Sequence, residues 1–243
     1  MPKTTITRAG LVGALLMASG VLAGTGSAEA IETADGPSQS TGTAHAAGQP
    51  AGTVASPAGV ADVGEAGFTK GAATVSVPPV APCAVEGPES GSSGAVSQAG
   101  ITFGGGTSSC TTEVTDPADD VTATTSTATG KNFELAALVS AGGRRIKLGS
   151  YTVTCKGVQG QTSANWTFNG LSGITDLPSP MPVNYAKPLT KADGTLLATA
   201  NFNVQALPGD GGIDLTMLRI DFAPGSGATG SVSVGHTACA PTP

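Results

Sequence analysis

The sequence predicts an all-β protein: an antiparallel β-sandwich or barrel-like domain that follows a signal peptide and a disordered linker. Three observations support this prediction. Only 12% of the 243 residues are charged, whereas helical bundles and coiled coils need periodic Glu, Lys, Arg and Leu. Glycine (36 residues) and proline (17 residues) are frequent and mark many turns. Between the turns, short apolar–polar alternations recur about every 8 to 12 residues, as they do in β-sandwiches.

The first 30 residues predict a secretory signal peptide. Lys3 and Arg8 give a positive start, residues 11–23 form an apolar run, and residues 27–30 (SAEA) have the pattern of a cleavage site. The apolar run is shorter than the about 20 residues that a membrane-spanning helix needs, so no span is expected in the mature chain. We therefore expect cleavage after Ala30 and a secreted protein, either extracellular or loosely associated with the cell wall.

Residues 31–72 predict a disordered linker, and residues 73–243 the β-sandwich domain. The linker is dominated by Ala, Gly, Ser, Thr and Pro, which bury too little apolar surface to offset the entropy of ordering. Charge is uneven as well: residues 31–130 carry one lysine and ten acidic residues, whereas residues 131–243 carry eight basic and six acidic residues. Because the mature chain is acidic, nucleic acid is not an expected partner.

Four cysteines, Cys83, Cys110, Cys155 and Cys239, all follow the signal peptide. In an oxidising compartment an even count predicts two disulfides, with three possible connectivities. Neighbour order favours Cys83 with Cys110 and Cys155 with Cys239. A metal site is disfavoured, because no two cysteines lie within five residues of each other.

Alternation of apolar and polar residues predicts the strands of the domain. The expected strands are 74–80, 99–103, 121–129, 133–140, 144–148, 151–155, 161–168, 195–206, 213–222 and 231–238. Gly142 and Gly143 are expected to form a two-residue hairpin turn between the strands on either side. No helix is expected after the signal peptide.

The strand 213–222 contains a break in its alternation. Ile213, Leu215 and Met217 share one parity, whereas Leu218, Ile220 and Phe222 share the other. A regular strand cannot direct both sets inward, so we expect a β-bulge near Met217 and Leu218.

The inventory of reactive side chains predicts a protein that is not an enzyme and binds no cofactor or metal. The only histidines are His45 and His236, and the nucleophile motif Gly-x-Ser-x-Gly does not occur. His236 is expected to be structural or exposed. The expected bulge would place Asp214 and Asp221 on one outward face, where solvated carboxylates are ordinary.

Other motifs have simple structural interpretations. Residues 225–230 match the dinucleotide fingerprint, but a strand rather than a helix is expected to follow, so the segment is interpreted as a turn. Residues 115–120 hold three aspartates and are interpreted as a polar turn in preference to a calcium loop. Arg144, Arg145 and Lys147 form a basic cluster at a hairpin, interpreted as a solvated tip, with contact to an anionic wall polymer as the alternative.

Residues 131–239 resemble the actinobacterial secreted proteins grouped as choice-of-anchor P. The likeness lies in the segments 137–141 (ALVSA), 151–155 (YTVTC) and 230–239 (GSVSVGHTAC). The resemblance implies a secreted, cell-surface protein and adds no site residue.

These observations together predict a secreted, non-catalytic β-sandwich that acts outside the cell or at the envelope. The expected partners are a cell-wall polymer or another extracellular protein. The alternative is a carbohydrate-binding module or glycan-active enzyme that uses a carboxylate or the strand face around Tyr151 and Trp166. A protease inhibitor is a third option and would need the segment 177–182 as a rigid exposed loop.

Overall fold

A computed structural model describes residues 56–242, which form fourteen strands and two short 3-10 turns, Val139–Ala141 and Pro224–Ser226. The strands are β1 Gly59–Lys70, β2 Ala73–Val80, β3 Cys83–Ala84, β4 Ser90–Ser93, β5 Val96–Gln98, β6 Ile101–Phe103, β7 Gly106–Asp116, β8 Val121–Leu135, β9 Ile146–Val158, β10 Gln161–Asn169, β11 Tyr185–Thr190, β12 Leu196–Ala206, β13 Ile213–Phe222 and β14 Ala228–Cys239. The predicted signal peptide and residues 31–55 of the predicted linker lie outside the described residues.

The strands form two antiparallel seven-stranded sheets that pack face to face. Sheet A has the order β11-β12-β13-β14-β1-β2, with β3 paired to β1. Sheet B has the order β10-β9-β8-β6-β5, and β7 pairs with both β8 and β4. Large side chains from both sheets fill the space between them, including Phe103, Phe133 and Phe202. The predicted all-β sandwich is confirmed.

The predicted boundary between linker and domain is wrong, because β1 lies within the segment assigned to the linker. β1 is an interior strand of sheet A, paired with β14 on one side and with β2 and β3 on the other. Apart from Val63 and Phe68, its inward residues are small, which disguises the alternation. At Gly64 the absence of a side chain has a packing reason: a side-chain carbon there would lie 2.5 Å from the ring of Phe103.

The predicted strand 133–140 and its two-glycine hairpin are also wrong. β8 continues to Leu135, which pairs with Ile146 at the start of β9. Residues 136–145 form a longer loop that contains a 3-10 turn, capped by Gly142 in the left-handed region (φ +87°). Ala137 and Leu138 are consecutive and both buried, which the regular alternation of a strand facing one core does not produce. We call this segment the 136–145 loop.

The break in alternation in β13 is real, but its predicted cause, a bulge, is wrong. The pairing of β13 with β12 and β14 keeps one register on both sides of Met217. Instead, four neighbouring strands each carry two consecutive buried residues at the same level: Phe202 and Asn203, Met217 and Leu218, Val234 and Gly235, and Val63 and Gly64. Asn203 (φ +53°) and Gly235 (φ +68°) adopt the left-handed conformation that changes the inward face. We call this row the crease of sheet A.

Two side chains from sheet B hold the crease. The Tyr151 hydroxyl on β9 donates a hydrogen bond to the carbonyl of Val63 at 2.8 Å. The Trp166 indole N–H on β10 donates to the Asn203 side-chain oxygen at 3.0 Å. Each donor gives a buried polar atom of the crease a partner, which an interior position requires.

The two predicted disulfides are confirmed. Cys83 on β3 bonds Cys110 on β7, and Cys155 on β9 bonds Cys239 on β14, with Cα separations of 5.7 and 5.8 Å. Each bond joins sheet A to sheet B. On the chain-entropy model, loops of 27 and 84 residues correspond to about 3.5 and about 4.5 kcal/mol of stabilisation.

Candidate functional site

His236 lies between two aspartates on the outward side of sheet A. Asp62 on β1 is its direct cross-strand neighbour, and Asp214 comes from β13 on the other side. The Nδ1 atom of His236 is 3.0 Å from Asp62 Oδ2, and Nε2 is 3.4 Å from Asp214 Oδ1. The sheet therefore holds the imidazole with an acidic group at each nitrogen.

The two carboxylates keep this histidine protonated. Burial by itself lowers the pKa of His236, but the hydrogen bonds and charges of Asp214 and Asp62 outweigh it and raise the pKa from 6.5 to about 10. At neutral pH both ring nitrogens carry a proton, so neither offers a lone pair for a proton or a metal ion. The arrangement is an ion triad rather than a general base.

Sequence reasoning missed Asp62, because that residue was assigned to the linker. The residue is 8% exposed, and its Oδ1 atom has no hydrogen-bond partner among the described residues. The alternation of Ala66 and Phe68 with Glu65 and Gly67 was the available signal for a strand here. Recognition of that strand would still not have indicated His236, which is 174 residues away.

Asp214 and Asp221 do not form a catalytic pair. Both face outward, as predicted, because the crease changes the inward parity between them. Asp221 accepts hydrogen bonds from Arg219 Nε and Asn201 Nδ2, each at 2.8 Å. Seven strand residues span about 23 Å, whereas paired carboxylates in glycosidases lie about 5 to 9.5 Å apart.

The strand face around Tyr151 and Trp166 is not an exposed aromatic surface. Tyr151 is 2% exposed, and burial, with a smaller effect of the Asp62 charge, raises the pKa of its hydroxyl far above the ordinary value. Trp166 stacks on Phe168 with ring centroids 5.6 Å apart, while its N–H is used by Asn203. Of the two aromatic residues named for the carbohydrate-binding alternative, Tyr151 is therefore buried in the core, whereas Trp166 is partly exposed.

Three other predicted motifs have ordinary positions in the fold. Residues 115–120 form the turn of the β7–β8 hairpin, where Asp116 Oδ1 accepts a hydrogen bond from the Ala118 amide at 2.9 Å. Residues 225–230 span the end of the 3-10 turn Pro224–Ser226 and the start of β14, and a strand follows the turn as predicted. The segment 177–182 does not protrude as an inhibitor loop would, because Met181 is buried in the core and Leu177 packs against it.

The three residues of the predicted basic cluster make different contacts. Arg145 and Lys147 form ion pairs with Glu134, the Lys147 pair at 3.2 Å. Hydrogen bonds from Lys147 and Arg145 lower the pKa of the exposed Glu134 carboxyl. Arg144 has no ion pair among residues 56–242 and lies at a recess of about 200 Å³. We call it the Arg144 recess.

No protein-family model, curated protein or solved structure matches this chain. Within residues 56–242, no helix has the length and apolar character to cross a membrane.

Proposed function

We propose that this chain is a secreted, non-catalytic β-sandwich that acts outside the cell, at or near the envelope, as a binding or structural protein. Two disulfides that join the sheets support the location, because such bonds form and persist in oxidising compartments. The predicted signal peptide and the resemblance to choice-of-anchor P proteins support the same location. Among the described residues, the two disulfides are the structural support for this location.

The observation that supports a non-catalytic role is the ion triad of Asp62, His236 and Asp214. A histidine that is protonated at neutral pH cannot activate a serine or water. Asp214 is held by His236, and Asp221 is held by Arg219 and Asn201. The histidine and carboxylate side chains that could catalyse hydrolysis are therefore occupied by contacts with other side chains.

Fractionation of the producing culture tests the location. We expect the chain in the medium or in a wall wash, with Ile31 as its first residue and with Cys83–Cys110 and Cys155–Cys239 peptides in a non-reducing map. An uncleaved chain in the cytoplasm with four free thiols would refute the proposal.

Assay of the purified protein on chromogenic esters and glycosides tests the lack of catalysis. We expect no turnover above the buffer rate between pH 5 and 9. Turnover that disappears in both Asp62→Asn and Asp214→Asn, but persists in the matched outward variant Asp193→Asn, would show that the triad is an active site.

A further inference from the structure

The Arg144 recess lies at the end of the sandwich where the 136–145 loop meets β11. Its walls come from the 136–145 loop, the segment 173–175, β11 and the start of β12. Leu138, Ile146, Ile174 and Leu197 form a buried apolar floor. Arg144, Lys187, Thr175 and Thr190 supply the polar groups of its lining, and among the described residues no carboxylate side chain lines it. The nearby Asp176 carboxylate lies outside the lining and accepts a hydrogen bond from the Thr175 hydroxyl at 2.9 Å.

The two cations of the recess lack an acidic partner among the described residues. Arg144 is exposed and forms no ion pair there. Lys187 is half-buried, and its ammonium makes a long contact of 3.4 Å with the carbonyl of Asp176. Arg145, Lys147, Lys191 and Arg219 pair with carboxylates, whereas Lys70, Lys131 and Lys156 also form no ion pair among the described residues. Arg144 and Lys187 differ from these lysines in that both line one recess. The recess thus holds unneutralised positive charge within an acidic protein.

The walls of the Arg144 recess are formed by closely packed backbone segments. A side-chain carbon on Gly143 would lie 2.8 Å from Leu197 and 2.9 Å from the Leu138 side chain. One on Gly173 would lie 2.3 Å from the carbonyl of Arg145. The two glycines let the loop and the segment 173–175 approach the sheets, so the cations are presented on packed structure rather than on a free loop.

We propose that the Arg144 recess binds a phosphate ester of a small polyol. The guanidinium can contact two phosphate oxygens, the ammonium supplies a second charge, and the Thr190 hydroxyl can donate a further hydrogen bond. A carboxylate has two oxygens on a planar carbon, whereas a phosphate diester of the same charge has four oxygens arranged tetrahedrally and can engage more of this set. The apolar floor accommodates the carbon skeleton of a compact polyol.

The source of this ligand rests on the proposed function. Outside the cell the ester would be a repeat of a phosphate-containing polymer, in which each phosphate is a diester with a single charge. The overall acidity of the chain, which disfavours long phosphate backbones such as nucleic acids, does not oppose recognition of one repeat at a local cationic site.

NMR titration of the oxidised mature chain tests the proposal. The probes are glycerol 3-phosphate, the diester glycerophosphoglycerol, and glucuronate. We expect both phosphate esters to shift the amide signals of Gly143, Arg144, Gly173 and Thr175 in a saturable way. We expect Arg144→Gln and Lys187→Gln each to weaken binding about tenfold, as the loss of one charged contact does. The matched control is Lys156→Gln, an exposed lysine on β9 far from the recess, and it should bind like the parent.

Each contrary result has a defined meaning. Equal weakening by Lys156→Gln, or shifts spread over all lysines, would show unspecific attraction and overturn the site. Glucuronate binding as tight as the esters would overturn the phosphate assignment, and binding of the monoester alone would overturn the polymer source. The location experiment is independent of the titration. A secreted, oxidised chain with no binding would refute only the recess, whereas a cytoplasmic chain that binds would refute the proposed function and the polymer source but not the site.

Discussion

The two ends of the sandwich differ in whether His236 at one end and Arg144 and Lys187 at the other have a carboxylate partner. At the disulfide end, where β1 begins and β14 ends, His236 and Asp214 are held by one another and Cys239 is bonded to Cys155. At the loop end, where β8 ends and β9 begins, Arg144 and Lys187 have no carboxylate partner among the described residues. We infer that the disulfide and the ion triad stabilise the first end, whereas the cations of the loop end are available to the proposed ligand.

Removal of a disulfide should have the largest effect on stability. The double variant Cys155→Ser with Cys239→Ser should lower the free energy of unfolding by about 2 to 5 kcal/mol, because the bond closes an 84-residue loop. The matched variant Cys83→Ser with Cys110→Ser opens a 27-residue loop and should lose about 1 kcal/mol less. Urea denaturation under non-reducing conditions measures both. A larger loss from the shorter loop would show that strain or local packing outweighs chain entropy.

The ion triad should make stability depend on pH. The pKa of His236 is raised to about 10 in the folded state, above the ordinary 6.5 of an unfolded chain. The contribution of His236 to the free energy of unfolding is therefore fully present below about pH 6.5 and is lost as the pH rises toward 10. His236→Gln should lower the free energy of unfolding by about 2 kcal/mol at pH 6, between the values for exposed and buried pairs, and much less at pH 10.

Urea denaturation of the parent and of His236→Gln at both pH values measures this dependence. Asp62→Asn should reduce stability at pH 6 more than Asp214→Asn, because its contact with the ring is shorter and it is more buried. A difference between parent and His236→Gln that stays constant from pH 6 to 10 would contradict the triad.

Loss of one donor to the crease should have a smaller effect. Tyr151→Phe keeps the ring in the core but leaves the carbonyl of Val63 without its hydrogen bond, which should cost about 1 to 2 kcal/mol. Tyr185→Phe is the matched control, since Tyr185 is only partly buried and its hydroxyl makes no hydrogen bond with the described residues. Urea denaturation of the two variants compares them, and equal losses would mean that the Tyr151 hydroxyl does not hold the crease.

The fold class and the covalent bonds were accessible from the sequence, because both depend on patterns within short segments. Alternation around Trp166 and Phe168 identified β10, and the order of four cysteines indicated both disulfides. β1 was missed because small inward residues such as Ala61 and Ala66 give weak alternation. At Gly64 the facing ring of Phe103 leaves no room for a side chain, and the local sequence does not describe that contact.

Features that depend on contacts among several strands could not be predicted from the sequence pattern of one segment. The break at Met217 and Leu218 was visible, but whether a bulge or a crease resolves it depends on Asn203 and Gly235 in the neighbouring strands. The partnership of Asp62 with His236 joins the first strand to the last. The sequence likewise showed Arg144 within a basic cluster, but only the positions of Glu134 and the loop distinguish it from Arg145.

The smallest stability effect is expected at the loop end, where it separates binding from folding. Arg144→Gln and Lys187→Gln remove charges that stabilise no described carboxylate, so each should change the free energy of unfolding by less than about 0.5 kcal/mol. The double variant should be as stable as the parent or slightly more stable, because two unneutralised cations no longer repel each other. Urea denaturation at low salt provides the measurement, with Lys147→Gln as the control that breaks an ion pair with Glu134. A loss above about 1 kcal/mol in the double variant would mean that these cations serve the fold, and the contrast between the two ends would disappear.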